Sequence, residues 1–227
     1  MKWTSPIFAT LSGSMGGLTG RHNRYGQYLA NKVKPVNPQS TRQEAARLKL
    51  SYLTSVWNSA AMDGYRAGWS LYAANLPATP GSTNPTGFNF FISCNSVRMW
   101  CYGTPILIPP AVYTLPAPDP AFAVTISAAT QLMSIAFTPA MAQYNELKGA
   151  LVVSMGMPKM NTGLYFNGPY RQSGLVDGAV LSPPTSPHTI ATPWPVTEGQ
   201  RVWVNARVLR ADGRLSNPFR AYCIVGA

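Results

Sequence analysis

The chain has 227 residues, 46% of them hydrophobic and only 11% charged. It has room for one large domain or two modest ones with buried cores, and so little charge, against about a quarter in soluble domains, favours a surface covered by neighbouring subunits. The net charge of +11 is concentrated at the start, where residues 1–49 carry Lys2, Arg21, Arg24, Lys32, Lys34, Arg42, Arg47 and Lys49 against Glu44 alone, a net +7.

Residues 1–36 are predicted to form an extended basic arm, because Gly13, Gly16, Gly17, Gly20 and Gly26 make a helix costly. Residues 7–12 and 27–33 are the expected strands, joined through the glycines as a loose hairpin. A two-stranded ribbon is marginal alone and needs a partner. The absence of a sustained apolar segment before Gly13 argues against a secretory signal.

Pro35 and Pro38 impose an extended approach to a helical domain at residues 37–102. Thr41 with Glu44 fits a capping box, and Ser40 with Gln43 is the alternative frame. Ala46, Leu50, Leu53, Trp57 and Ala60 recur at helical spacing and predict one buried stripe, with Arg42, Lys49 and Ser51 outside it. Asp63 is expected to cap a second helix carrying Tyr65, Trp69, Tyr72 and Leu76 and stopped by Pro77, which makes an antiparallel helical hairpin. Thr86 is expected to cap a third helix with Phe88, Phe91, Ile92, Asn95 and Met99 on one side. Aromatic residues at that spacing read as core.

Residues 103–120, with Pro105, Pro109, Pro110, Pro116, Pro118 and Pro120, read as a stiff linker and domain boundary. After it the apolar period changes to two. Residues 123–127, 132–137 and 151–155 read as strands, and Val202, Val204, Ala206 and Val208 alternate with Arg201, Trp203, Asn205 and Arg207. Asp212-Gly213 then turns the chain into a strand over 217–225. About seven short strands in residues 121–227 predict a β-sandwich, so the whole reads as α+β: basic β arm, helical hairpin unit, linker and immunoglobulin-like sandwich. Prolines and polar residues interrupt every long apolar run, so no transmembrane helix fits.

Two resemblances bear on this organisation. The segment Glu198-Gly199-Gln200-Arg201-Val202-Trp203-Val204-Asn205-Ala206-Arg207-Val208, followed by Asp212-Gly213-Arg214-Leu215-Ser216-Asn217-Pro218, resembles the closing hairpin of fibronectin type III-like domains. The shared pattern is a repeating apolar strand, a Gly-containing turn and a Ser-x-Pro exit. Gly16-Gly17, Arg24-Tyr25-Gly26-Gln27-Tyr28 and the run from Asn37-Pro38 through Ser40 and Gln43 to Arg47, followed by Trp57, Arg66 and Trp69, are similar to uncharacterised proteins encoded by bacteriophages and phage-derived regions. Those proteins share a Gly-Gly ribbon, an Arg-Tyr-Gly-x-Tyr step and an Asn-Pro-x-Ser/Thr-x-x-Gln-x-x-x-Arg helix start. The similarity spans residues 13–95 and implies a phage context; it implies no activity.

The chemistry of the residues excludes more than it offers. The glycines from Gly13 to Gly20 lack the Gly-Lys-Ser/Thr of a phosphate loop, the seven acidic residues are scattered, and neither His22 nor His188 lies in a nucleophile motif or near a set of metal ligands. Cys94, Cys101 and Cys223 form no CxxC pair and read as reduced packing residues. No catalytic, cofactor or metal site is expected, and the chain is not read as an enzyme. The candidate contact residues are Arg21, Arg24, Tyr25, Tyr28, Lys32, Lys34, Arg42 and Arg47, whose basicity suits nucleic acid, an acidic protein surface or anionic lipid. The glycines allow close backbone approach and strand addition to a neighbour. The leading reading is a bacteriophage virion structural protein, made in the bacterial host cytoplasm and docked by its arm onto capsid or tail subunits, oligomeric within the particle and without a membrane partner. A capsid decoration or cement subunit leads, with a tail or head-to-tail component next. One alternative is nucleic-acid binding through arm cations interleaved with tyrosines. Another is a host-surface or glycan-binding module with Trp194 and Trp203 as stacking platforms, Trp203 otherwise covering a sheet face.

Overall fold

A computed structural model describes residues 13–23, 26–34, 36–76 and 85–227. The fold is α+β, in two compact units, Met1–Glu44 and Ala45–Ala227.

The first unit holds an antiparallel meander of β1 (Gly13–Met15), β2 (Leu18–Asn23) and β3 (Gly26–Asn31). Gly16 and Gly17 make the β1–β2 turn, and Gly16 has φ 59°, a conformation that favours glycine. The Lys32 N–H donates to Gly17 O at 2.7 Å and ties the end of β3 to that turn. The strand expected over 27–33 is present as β3. Its neighbour is β2, which runs through Gly20, a residue the sequence reading gives to the connection; Gly20 sits opposite Gly13 on one side and Leu29 on the other. The strand expected over 7–12 lies outside the described residues.

Helix α1 spans Thr41–Asn58, and its start uses the alternative frame. The Gln43 N–H donates to Ser40 Oγ (3.4 Å) and the Ser40 N–H to Gln43 Oε1 (3.3 Å), a reciprocal capping box. Of the expected stripe, Leu53 is buried and Trp57 half-buried, whereas Ala46, Leu50 and Ala60 are exposed and Lys49 is half-buried. Helical spacing says which residues share a face; it does not say how far along that face a neighbour reaches. Asp63 caps no α-helix. It lies after a short 3-10 turn, Ala60–Met62, and its carboxylate holds Arg66 at 2.6 Å. The Arg66 guanidinium also donates to Trp57 O (2.9 Å) and Ser59 O (3.1 Å), taking up carbonyls left unpaired at the C-terminus of α1. Helix α2 (Arg66–Asn75) follows, with Trp69 and Tyr72 buried.

Helix α3 (Gly87–Tyr102) starts at Thr86, whose Oγ1 accepts the Asn89 N–H, and ends at Gly103 in the left-handed region. The most extensive helix–helix contact is α2 with α3, not α1 with α2. It is close because Gly87 lacks a side chain: a Cβ there would lie 2.6 Å from Ser70 N and 2.7 Å from Trp69 C. Leu53, Trp69, Tyr72, Phe91 and Cys94 form the helical core. The proline-rich segment 103–120 is bonded along its length. Asn95, buried in α3, accepts the Ile106 N–H at 2.7 Å and donates to Ile106 O at 3.1 Å, Trp69 Nε1 donates to Leu107 O, and Arg214 Nη1 donates to Thr114 O.

Seven strands follow, as the period-two pattern leads one to expect. β4 (Ala123–Ser127), β5 (Leu132–Ala136) and β8 (His188–Ala191) form one antiparallel sheet in the order β4-β5-β8. β6 (Ala150–Gly156), β7 (Tyr170–Asp177), β9 (Arg201–Leu209) and β10 (Phe219–Ile224) form the other, in the order β10-β9-β6-β7. Their facing residues, among them Val124, Met133 and Ile135 from the first and Leu151, Val153, Val204 and Val208 from the second, make one core. The expected Asp212-Gly213 turn is present, with Gly213 at φ 88° and its N–H donating to Arg210 O.

Gly87→Ala is expected to force α2 and α3 apart and to lower unfolding stability by about 2 kcal/mol or more, as overpacking does; urea denaturation measures it, with the exposed Gly64→Ala as a mild control.

Candidate functional site

The arm residues singled out by sequence are exposed or half-buried wherever they are described. Register places Arg21 on β2 directly opposite Tyr28 on β3, on the face that also carries Thr19 and Ser14, whose hydroxyls lie 3.1 Å apart. The opposite face carries Met15, Leu18 and Leu29. Lys32 and Lys34 follow β3 and are exposed, and Arg42 and Arg47 are exposed on α1. Arg24 and Tyr25 lie outside the described residues. The meander thus brings Arg21 and Tyr28 together. Among the described residues, none before Leu53 is buried. The described residues of three strands and of the first three turns of α1 therefore supply no buried apolar side chain, although hydrophobic burial is the main term that offsets the entropy of ordering a chain.

A second surface, absent from the sequence-derived set, lies on the outer face of β10-β9-β6-β7. Alternation along β9 sends Arg201, Trp203, Asn205, Arg207 and Leu209 outward. At one end α3 lies across it, with Val152, Leu209 and Leu215 packed against Val97, Trp100, Cys101 and Tyr102. At the other end Phe166 stacks on Trp203 with centroids 5.5 Å apart and occupies the space over Gly156. Trp203 is 8% exposed, so it covers the sheet face and offers no open platform. Trp194 is half-buried against the core, with the Arg171 guanidinium 5.6 Å from its ring. Around this end, Lys159 lies over Phe166, Arg201 over Tyr222 and Arg220 over Tyr170, at 4.9, 5.3 and 5.6 Å. The two-residue spacing of Arg220, Tyr222 and Ile224 on β10 was the sequence signal for this cluster.

The buried charged groups act within the fold. Asp119 accepts from Ala121 N, Thr138 N, Thr138 Oγ1 and Tyr144 Oη, with contacts of 2.9–3.1 Å. Burial, and then Asp119, push the Tyr144 phenol up. Glu146 takes two bonds from Arg210 (2.6 and 3.2 Å) and one from the Ala211 N–H (2.9 Å), pinning the β9–β10 turn. Tyr102 donates to Asp177 and approaches Gly149 O, and burial raises its phenol as well. His22 lies on β2 and His188 on β8, and among the described residues no group of three or more His, Cys, Asp or Glu could hold a metal ion. No described helix is long and apolar enough to cross a membrane. The chain matches no protein-family model and no curated protein.

Burial pushes the Cys94 and Cys101 thiols from 9.0 up to about 12, and Cys223 up to about 11. In the unfolded chain they ionise near 9.0, so between pH 9 and about 12 the unfolded state releases protons that the folded state retains, and stability falls as pH rises. Urea midpoints should be level up to pH 8.5 and lower at pH 10.5. Iodoacetamide at pH 8 should label all three cysteines only after denaturation.

Proposed function

We propose that the chain is a structural subunit of a bacteriophage particle, docked onto neighbouring capsid or tail subunits through the β1–β3 meander and the start of α1. The observation that carries this reading is that, among the described residues, the strands and helix turns before Leu53 hold no buried residue, which is how a segment that gains its core from a partner is built. Its net +7 favours an acidic partner surface, and β3, paired among the described residues with β2 alone, offers an edge for strand addition. The phage context itself rests on the Gly-Gly ribbon and the helix-start motif. Two of that motif's residues, Ser40 and Gln43, are the pair that closes the capping box. A decoration or cement subunit is the version we favour. We assign residues 121–227 to the fibronectin type III-like kind of sandwich, supported by seven antiparallel strands in sheets of three and four around one core.

Deleting residues 1–36 is expected to abolish incorporation into particles while the near-UV circular dichroism of the remaining chain persists; truncated protein that still sediments with particles would sink the docking reading. The cross-strand pair Arg21–Tyr28 also favours nucleic-acid contact as a second reading. That reading expects oligonucleotide binding that falls steeply with salt and weakens in Arg21→Ala, Arg24→Ala protein. No gel shift on DNA or RNA at low salt removes it.

A further inference from the structure

The outer face of the four-stranded sheet is covered at both ends and crossed in the middle by a polar row. Register places Arg220 opposite Asn205, Asn205 opposite Ser154 and Ser154 opposite Gln172. The row therefore runs over all four strands, about 14 Å at a strand spacing of about 4.8 Å. On one side of it α3 lies on Val152 and Leu209. On the other stand the aromatic residues around Phe166, with Tyr222 opposite Trp203 on β10 and Tyr170 opposite Gly156 on β7. We infer that this strip, Arg220, Asn205, Ser154 and Gln172 flanked by Tyr170 and Tyr222, is a binding site for an acidic oligosaccharide.

The chemistry of the row selects that class. The amides of Asn205 and Gln172 and the hydroxyl of Ser154 each present both donor and acceptor capacity, the complement of adjacent sugar hydroxyls. The side-chain Oδ1 of Asn205 is buried and has no hydrogen-bond partner among the described residues, unlike most buried acceptors. Arg220, on β10, reaches across the row until its guanidinium lies 5.6 Å from the Tyr170 ring on β7, and contributes there a planar, donor-only fork that fits a carboxylate. Tyr170 and Tyr222 hold cations beside the row, Arg220 lying 5.6 Å from the Tyr170 ring and Arg201 5.3 Å from the Tyr222 ring, and Tyr222, 63% exposed, adds apolar ring surface with a polar tip at the rim. Lys159, Arg201 and Arg220 lie on the rings beside the strip, whereas the acidic residues of these strands and their connections are Asp177 at the end of β7, Glu198 ahead of β9 and Asp212 in the β9–β10 turn, where it pairs with Arg214. The local potential therefore favours an anionic ligand over a neutral one. A second copy of this +11 chain is disfavoured for the same reason. A nucleic-acid strand, which presents a phosphate at every nucleotide, would meet amides and a hydroxyl along most of the row and the single guanidinium of Arg220. The strip uses none of the arm's residues, so its test and that of docking fail independently.

Affinity electrophoresis of the full chain through gels containing polygalacturonate, hyaluronate or polysialic acid tests the assignment, with dextran and oligo(dT) as comparisons. Retardation by at least one acidic polysaccharide and none by dextran is expected. Gln172→Ala and Arg220→Ala should each weaken it tenfold or more, while Lys148→Gln, an exposed cation outside both the strip and the arm, leaves it unchanged and thermal melts show all three variants folded. No retardation by any of the three polymers overturns the proposal. So does retardation unchanged in Gln172→Ala, which would mark diffuse charge attraction, or tighter binding of oligo(dT) through the same residues.

Discussion

Helix α3 is buried from two sides, and residues 45–227 form one unit because of it. Phe91, Cys94 and Asn95 face the helical core and the proline-rich strap, while Val97, Trp100, Cys101 and Tyr102 face the outer surface of the four-stranded sheet. Arg98 lies between, 5% exposed, donating to Ala211 O in the β9–β10 turn. Burial holds its guanidinium below the usual range, because desolvation disfavours its charged form. Each neighbour of α3 is polar-locked to it: Asn95 by two bonds to Ile106, Tyr102 by Asp177 at the end of β7, and Arg98 by the turn after β9. Buried polar groups bonded in this way, Asn95 on both its amide atoms and Arg98 through Nη1, fix one arrangement of the layers where apolar contact alone would tolerate several.

The chain combines two physical regimes. From Leu53 onward, apolar side chains at helical and then strand spacing are covered, and buried carboxylates such as Asp119 and Glu146 are saturated with hydrogen bonds to turns. Among the described residues before Leu53, β1 and β3 pair with β2 and α1 is capped at Ser40, yet Met15, Leu18 and Leu48 are exposed. Local hydrogen bonding and hydrophobic burial are separable contributions, and this sequence separates them along its length.

The candidate contacts were only half legible. A count of cations locates the arm, but the pairing of Arg21 with Tyr28 depends on β2 running through Gly20, which propensity assigns to a connection because glycine weakens strands. The outer strip was less legible still. Its four polar residues come from four strands, β10, β9, β6 and β7, that are far apart in sequence and adjacent only through register, one link of which crosses the bulge between Val153 and Ser154. The tryptophans drew attention as the largest rings, yet Trp203 is covered because Gly156 leaves room for Phe166 above it.

Local chemistry in the sequence was enough to determine the α+β order, the third helix with its Thr86 cap, and the strands with strict alternation, since caps and period-two patterns act over a few residues. Competing local signals were left for tertiary structure to decide. Ser40 prevailed over Thr41 as the cap, Asp63 became the partner of Arg66 instead of a helix cap, and the buried stripe of α1 shrank to the stretch from Leu53 onward. Only the folded chain could decide that α2 packs on α3 and that α3 serves both helices and sheet, because those depend on Gly87 meeting Ser70 and on which faces find each other. Periodicity specifies that a side chain needs cover; the identity of the cover is a long-range property.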